Sequence, residues 1–331
     1  MQKRISQVFR YIIPLALAVL LLYYAFRNID LDEFLSRVHE TNFMWVYASI
    51  VLSLAGYILR AYRWNLLLKP LGYYVNTYRT TLAVLVGYLA NLAFPRLGEV
   101  TRCAILKKTD HVPLTLSLGT VITERIIDTI TLFLLITLSF LLEFELITTF
   151  MVEALAGLQL NVTTILVVSG AAIGLAVLVF YFILLKSTRL AVKIREFLRG
   201  LYKGVLSIKG VENPVLFILS TVLLWVIYYL MAYIIVFSLD ETSGLSIAAG
   251  FMLLVTGGIA LALPVQGGIG TYHTLITAML LLYGIDKTTG LFLATLLHTS
   301  QLVAVAFFGG TAVVLALFLG KKMDKNEPDV A

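Results

Sequence analysis

The amino-acid sequence predicts an all-α, polytopic helical membrane protein, with about six full spans plus two re-entrant hairpins in an inverted-topology repeat. Three observations lead there. Of 331 residues, 60% are hydrophobic and only 13% charged, whereas soluble domains run nearer half apolar and a quarter charged. Apolar blocks of about twenty residues, the length a helix needs to cross a bilayer, recur along the whole chain. The loops between the blocks alternate in charge.

The blocks follow in order. Lys3, Arg4 and Arg10 flank the first, Val8–Phe26. No small-x-small cleavage site follows it, because the chain continues Arg27-Asn28-Ile29-Asp30, so it reads as an uncleaved span rather than a signal peptide. Phe43–Arg63, Leu114–Leu142, Val162–Leu185, Pro214–Leu239 and Leu291–Leu319 are the other uninterrupted blocks. Two further regions are broken: Thr80–Leu106 at Pro95, and Ser246–Tyr283 at Pro264 and the glycines after it.

Loop charge orients the chain. The N-terminus is basic, and Asp30, Asp32, Glu33 and Glu40 make the next loop acidic. Arg60, Arg63, Lys69 and Arg79 follow, then Glu143, Glu145 and Glu153. Lys186–Asn213 is strongly basic, Asp240 and Glu241 are acidic, and Lys321, Lys322 and Lys325 close the chain. Basic loops face the cytoplasm, which places both termini there, in a cytoplasmic (inner) membrane. The pattern survives only if Thr80–Leu106 enters from the cytoplasm and returns, and Ser246–Tyr283 enters from outside and returns. Such non-helical backbone at depth needs protein or a water-filled cavity around it.

The halves, roughly 1–143 and 162–319, then share the order span, span, hairpin, span in opposite orientations, followed by a disordered cytoplasmic tail, 320–331. The hairpins also match locally: L-A-F-P-R-L-G-E around Pro95 and L-A-L-P-V-Q-G-G around Pro264, with Gly98 and Gly267 each three residues after the proline. Pro95, Gly98 and Pro264 are the expected turn formers. Inverted repeats with broken helices point to a transport site near the midplane. A half-helix starts after each turn, near Leu97 and near Gly268, and its N-terminus favours an anion such as phosphate. Gly267, Gly268 and Gly270 either let a headgroup approach the backbone or simply permit a tight turn.

Glu124, Arg125 and Asp128 lie inside an apolar block. A charge at the bilayer centre costs roughly 2.5–3.5 kcal/mol on insertion scales, so three together should face the bundle. Arg96, Glu99 and Arg102 of the first hairpin are the candidate partners. The set is either a cavity for a charged headgroup or an ion-pair network that locks the hairpin. Gln266 and His273 lie in and just after the second turn, and His298 and Gln301 in the last span fit interhelical hydrogen bonds. Arg60, Arg63 and Trp64, at the end of the second block, read as snorkelling and aromatic anchoring. Leu190–Gly204 reads either as a basic amphipathic helix on anionic headgroups or as an ordinary basic loop.

Several chemistries are disfavoured. The net charge of +6 sits in loops beside spans and fits positive-inside bias, so no nucleic-acid partner is expected. Cys103 is the single cysteine, which excludes an internal disulfide and a thiolate cluster. The four histidines, His39, His111, His273 and His298, are dispersed without a His-x-x-x-His pair, so no metal or other cofactor is expected.

The motifs Pro95–Arg102 (P-R-L-G-E-V-T-R), Glu124–Asp128 (E-R-I-I-D) and Leu263–Gly270 (L-P-V-Q-G-G-I-G) resemble the lysylphosphatidylglycerol synthase transmembrane-region family, also described as flippase-like or AglD-like membrane proteins. The resemblance spans about Phe43 to Leu319. It implies handling of lipids, and in the multiple-peptide-resistance synthases the module precedes a soluble aminoacyltransferase domain. The chain ends about a dozen residues after its last span, so lysyltransferase activity is not expected. The family often follows its glycine turn with an acidic residue, where this chain has Thr271-Tyr272-His273.

The resulting expectation is a lipid flippase or translocase for a polar, phosphate-bearing headgroup. Arg96, Glu99, Arg102, Glu124, Arg125, Asp128, Gln266 and His273 would line its path, and Gly267, Gly268 and Gly270 would offer backbone contacts. Its partners would be membrane lipids with anionic or phosphate-bearing headgroups. The alternatives are an accessory subunit of an envelope-lipid or lipid-linked-glycan biosynthesis enzyme, and an integral-membrane lipid transferase, for which no Asp-x-Asp is present.

Overall fold

The computed structural model describes residues 19–27, 29–94, 97–149, 210–263 and 265–324, with single positions 170 and 174. The regular structure described is helical, and the chain is an all-α, multi-pass membrane protein. The expected span Val162–Leu185, the basic segment Leu190–Gly204, Pro95, Arg96 and Pro264 lie outside the described residues, as does most of the first expected span, of which 19–26 is helical.

Nine helices carry the argument: α1 Leu31–Glu40, α2 Phe43–Leu68, α3 Thr77–Ala93, α4 Leu97–Asp110, α5 Leu114–Leu142, α6 Pro214–Tyr233, α7 Ile247–Ala262, α8 Thr271–Leu282 and α9 Lys287–Asp324. Asparagine starts three of them. The side-chain oxygens of Asn42, Asn76 and Asn213 accept from the backbone N–H of Met44, Tyr78 and Leu216 at 2.8–3.1 Å, which satisfies a donor that a helix start leaves open. Ser246 does the same for α7, accepting from Ala249 N–H at 3.0 Å. Threonine hydroxyls inside the apolar helices donate back one turn, as from Thr81 to the Thr77 carbonyl and from Thr277 to that of His273, both at 2.7 Å.

Four helical segments are long and apolar enough to cross a membrane: Phe43–Leu71, Leu114–Leu142, Pro214–Ser238 and Lys287–Ala316. The other four large helices are not. α3 and α4 have 17 and 14 residues, and α7 and α8 have 16 and 12. At 1.5 Å per residue each falls short of a hydrocarbon core of roughly 30 Å. Each pair folds back on itself, α3 on α4 and α7 on α8. The order long, short, short, long occurs twice, as α2–α5 and as α6–α9.

Chain contacts gather into two compact units, Met1–Glu124 with Val211–Ala331, and Arg125–Gly210. This division does not fall between the two expected repeats. The last helix also continues through Asp324, into the stretch expected to be a tail.

Within the first unit, one buried apolar cluster surrounds the first hairpin with Ala61, Trp64, Leu68, Val84, Cys103, Leu106 and Val121. A second surrounds the other hairpin with Leu253, Tyr272, Ile276, Leu280, Leu293 and Leu297. Gly98 corrects an expectation. It lies inside α4 rather than in the turn, and a Cβ there would stand 1.9 Å from the Gly87 carbonyl oxygen. Its role is the close crossing of α3 and α4, closed by Gly98 N–H donating to Asn91 Oδ1 at 2.7 Å.

Candidate functional site: a buried arginine cluster on Glu124

Hydropathy ends the second block at Arg63, but α2 runs on to Leu68 and buries Trp64, Leu67 and Leu68. Arg60 and Arg63 are therefore interior residues. This overturns their reading as snorkelling anchors: Arg60 is 3% exposed and Arg63 0%. One turn apart, they share a helix face with Trp64.

That face meets α4 and α5. Glu124, 0% exposed, lies ten residues into α5, a depth of about 15 Å at 1.5 Å per residue. Arg60 Nη2 donates to Glu124 Oε1. Arg63 Nη2 is 3.7 Å from the same oxygen. Arg102 of α4, 4% exposed, donates from Nη1 to Glu124 Oε2 at 3.2 Å. Three guanidiniums thus surround one carboxylate, deep among apolar helices. A buried charge is tolerated when paired and hydrogen-bonded, and Glu124 meets all three of these arginines.

Polar and aromatic neighbours fix each arginine. Arg60 Nη1 donates to Tyr228 Oη at 2.8 Å, and Arg63 Nη1 to Thr221 Oγ1 at 3.4 Å, both on α6. The Arg102 guanidinium sits 4.5 Å from the centre of the Trp64 ring, within cation–π range. Trp64 is held in turn by its indole N–H, which donates to Thr120 Oγ1 at 2.8 Å. Arg102 Nε and Nη2 are buried and have no hydrogen-bond partner among the described residues. Those two groups form one edge of the guanidinium fork, the geometry that takes two oxygens of a phosphate or carboxylate side by side.

The second hairpin is built differently. Gly267, Gly268 and Gly270 have φ of 61°, 73° and 83°, a region that favours glycine, so the turn itself requires them. His298 of α9 donates from Nε2 to the Gly267 carbonyl at 2.8 Å. Its ring stacks on Tyr272 at 5.0 Å and lies 5.1 Å from that of His273. His273 Nδ1 accepts from Gly270 N–H at 3.4 Å, and Thr271 Oγ1 donates to the carbonyls of Ala260 and Gly268 at 3.1 and 3.0 Å. The Gln266–Gly268 turn also touches α3 of the first hairpin.

Of the expected site residues, Glu124 and Arg102 come together, and Glu99 sits half-buried in the first turn of α4. Arg125 and Asp128 are half-buried on α5, within the second compact unit. Arg60, Arg63, Thr221 and Tyr228 were not expected in the site. The available signal was Asn65-Leu66-Leu67-Leu68 after Trp64, which continues the helix past both arginines.

The profile of the lysylphosphatidylglycerol synthase TM region family matches residues 11–309. The chain is 33% identical over 113 residues to the UPF0104 membrane protein MJ1595 of Methanocaldococcus jannaschii, a stretch covering 33% of each chain. It is 29% identical over 119 residues to the glycosyltransferase AglD of Haloferax volcanii, covering 36% of this chain and 18% of that protein. These matches span a third or less of the relatives' own lengths. No solved structure matches.

Proposed function

The chain belongs to the lysylphosphatidylglycerol synthase TM region family, and from that premise we propose that it moves a lipid with a phosphate-bearing headgroup across the membrane. The observation that carries this reading is the cluster of Arg60, Arg63 and Arg102 on the carboxylate of Glu124. Cationic forks at membrane depth, enclosed by low-dielectric walls, attract an oxyanion far more strongly than the same groups in water. The open edge of Arg102 supplies two parallel donors. Glu124 is the resident anion that holds the forks in place, and an arriving phosphate competes with it for Arg102. The acyl tails remain in lipid while the headgroup passes between the two hairpins, taken as inverted halves around the site.

The partial likeness to a glycosyltransferase favours a second reading, an accessory subunit of a lipid-linked-glycan enzyme. The two readings part on one experiment. The purified chain is reconstituted in liposomes with fluorescent lipids carrying phosphate monoester, phosphodiester or uncharged headgroups. Translocation predicts faster leaflet exchange than in empty vesicles for phosphate-bearing lipids, and loss of that acceleration in Arg102→Ala. Exchange no faster than in empty vesicles for every headgroup would sink the translocase reading.

A further inference from the structure

The helix α1, Leu31–Glu40, is too short to span and takes no part in the arginine cluster. Its residues divide among three faces at 100° per residue. Phe34 and Arg37 fall on one side and turn to the protein. The Phe34 ring meets Phe292 edge-on at 5.1 Å and Phe26 at 5.4 Å. Arg37 Nη1 donates to Glu241 at 2.6 Å, and its Nη2 to Glu33 at 3.3 Å. Asp32, Ser36, His39 and Glu40 form a second face, exposed and polar. Leu31, Leu35 and Val38 form a third, which is apolar yet 59%, 58% and 39% exposed.

The position of α1 explains the third face. Both ends are tied to places where spans end. Before α1, the Arg27 carbonyl accepts from Lys287 Nζ at 3.1 Å, at the start of α9. After α1, Asn42 N–H donates to the Ser238 carbonyl at 2.8 Å, at the end of Pro214–Ser238. Arg37 reaches Glu241, just beyond that same end. A ten-residue helix, about 15 Å long, held at both ends at this level has to run along the membrane surface. Exposed apolar residues precede it at Val19, Leu20 and Tyr23 and follow it at Met44, Tyr47 and Val51. The helical segments on either side of α1 thus also present exposed apolar side chains.

We propose that α1 is an interfacial helix, with Leu31, Leu35 and Val38 seated in acyl chains just beneath the headgroups and its acidic face in water. The occupant of the stripe is the bilayer itself. Interfacial helices usually add basic residues that hold anionic headgroups. This exposed face instead carries Asp32 and Glu40 beside Ser36 and His39, so apolar insertion is the attraction and added salt does not weaken it. The inference does not depend on lipid translocation.

The test uses the full chain with Cys103→Ser and single cysteines at Leu35, Val38, Ser36 or Glu40, each carrying a nitroxide, in liposomes of mixed zwitterionic and anionic lipid. Collision with oxygen reports the hydrocarbon, and collision with a water-soluble nickel chelate reports the aqueous phase. Labels at 35 and 38 should favour oxygen severalfold over those at 36 and 40, with a ratio that added salt does not lower. Nickel-favoured collision at 35 and 38 would overturn the proposal, since the stripe would face water. So would protection at both positions from both reagents, which would mean a second copy or another protein covers it.

Discussion

The two hairpins share a plan and differ in what holds them. The first, α3–α4, is fastened by charge: Arg102 reaches Glu124, where Arg60 and Arg63 also converge. The second, α7–α8, is fastened by neutral groups: three left-handed glycines shape its turn, and His298 donates to a turn carbonyl. The backbones also differ at the corresponding glycines. Gly98 sits in a helix, where its missing side chain admits the Gly87 carbonyl, whereas Gly267 sits in a turn, where positive φ requires glycine. A short motif shared by two hairpins thus marks similar chain geometry, while the chemistry differs. Only the first hairpin brings ionic groups to membrane depth in quantity, which is why the proposed oxyanion site lies there.

Four perturbations test this contrast. The largest effect is expected from Glu124→Ala, which strips three buried guanidiniums of their shared carboxylate. Breaking a buried pair from one side costs about 3–5 kcal/mol, measurable by urea unfolding in mixed micelles. Amide exchange should rise in α4 and stay unchanged in α8. Gly98→Ala comes next, because its Cβ would overlap backbone rather than a movable side-chain tip. Overpacking costs about 1–3 kcal/mol, and this site should fall at the upper end, with exchange rising in α3 and α4 together.

His298→Phe is the mirror experiment. It keeps a ring against Tyr272 but leaves the Gly267 carbonyl without its donor. An orphaned buried acceptor costs about 1–3 kcal/mol; Gly267 is half-buried, so the loss should fall at the lower end, with faster exchange around 265–270 and not in α4. Equal loosening of both hairpins by Glu124→Ala and by His298→Phe would erase the distinction between them.

The smallest effect concerns pH at the membrane surface. Glu241 is held below the usual carboxylate range by a hydrogen bond from its own backbone N–H and then by Arg37. At Asp286, burial pushes upward, but hydrogen bonds from Thr289 outweigh it and the net direction is down. A depressed folded value means the stabilisation is present above the unfolded carboxylate range and lost as pH falls through the folded value. Acidification below about pH 4 should therefore loosen α1. Because Glu241 is solvent-screened, the change should stay under about 1 kcal/mol, visible as exchange in 31–40 and not in either hairpin.

Much of this architecture was legible in the sequence. Hydropathy located the long helices, and loop charge turned two broken blocks into hairpins. The cost of isolated charge at depth made Arg96, Glu99 and Arg102 the candidate partners of Glu124, Arg125 and Asp128, a set that contains the observed Arg102–Glu124 pair. Arg60 and Arg63 escaped because an arginine that ends an apolar run looks the same whether it snorkels to water or meets an acid in the bundle. Only the partner helix decides, and that partner lies far away in sequence. Gly87 escaped for a similar reason: its need for smallness arises from the Gly98 backbone across the hairpin, and its own neighbours carry no sign of it.

The most direct test of the oxyanion site is Arg102→Lys, which keeps the charge and removes the two-pronged edge. The measurement is the rate at which a fluorescent phosphate-bearing lipid changes leaflet in proteoliposomes, alongside an unfolding curve for the same protein. The account predicts wild-type-like folding with exchange slowed roughly tenfold or more, the equivalent of losing one charge-assisted hydrogen bond of about 1.5–3 kcal/mol from the barrier-crossing complex. A lysine variant that folds normally and moves the lipid at the wild-type rate would contradict it.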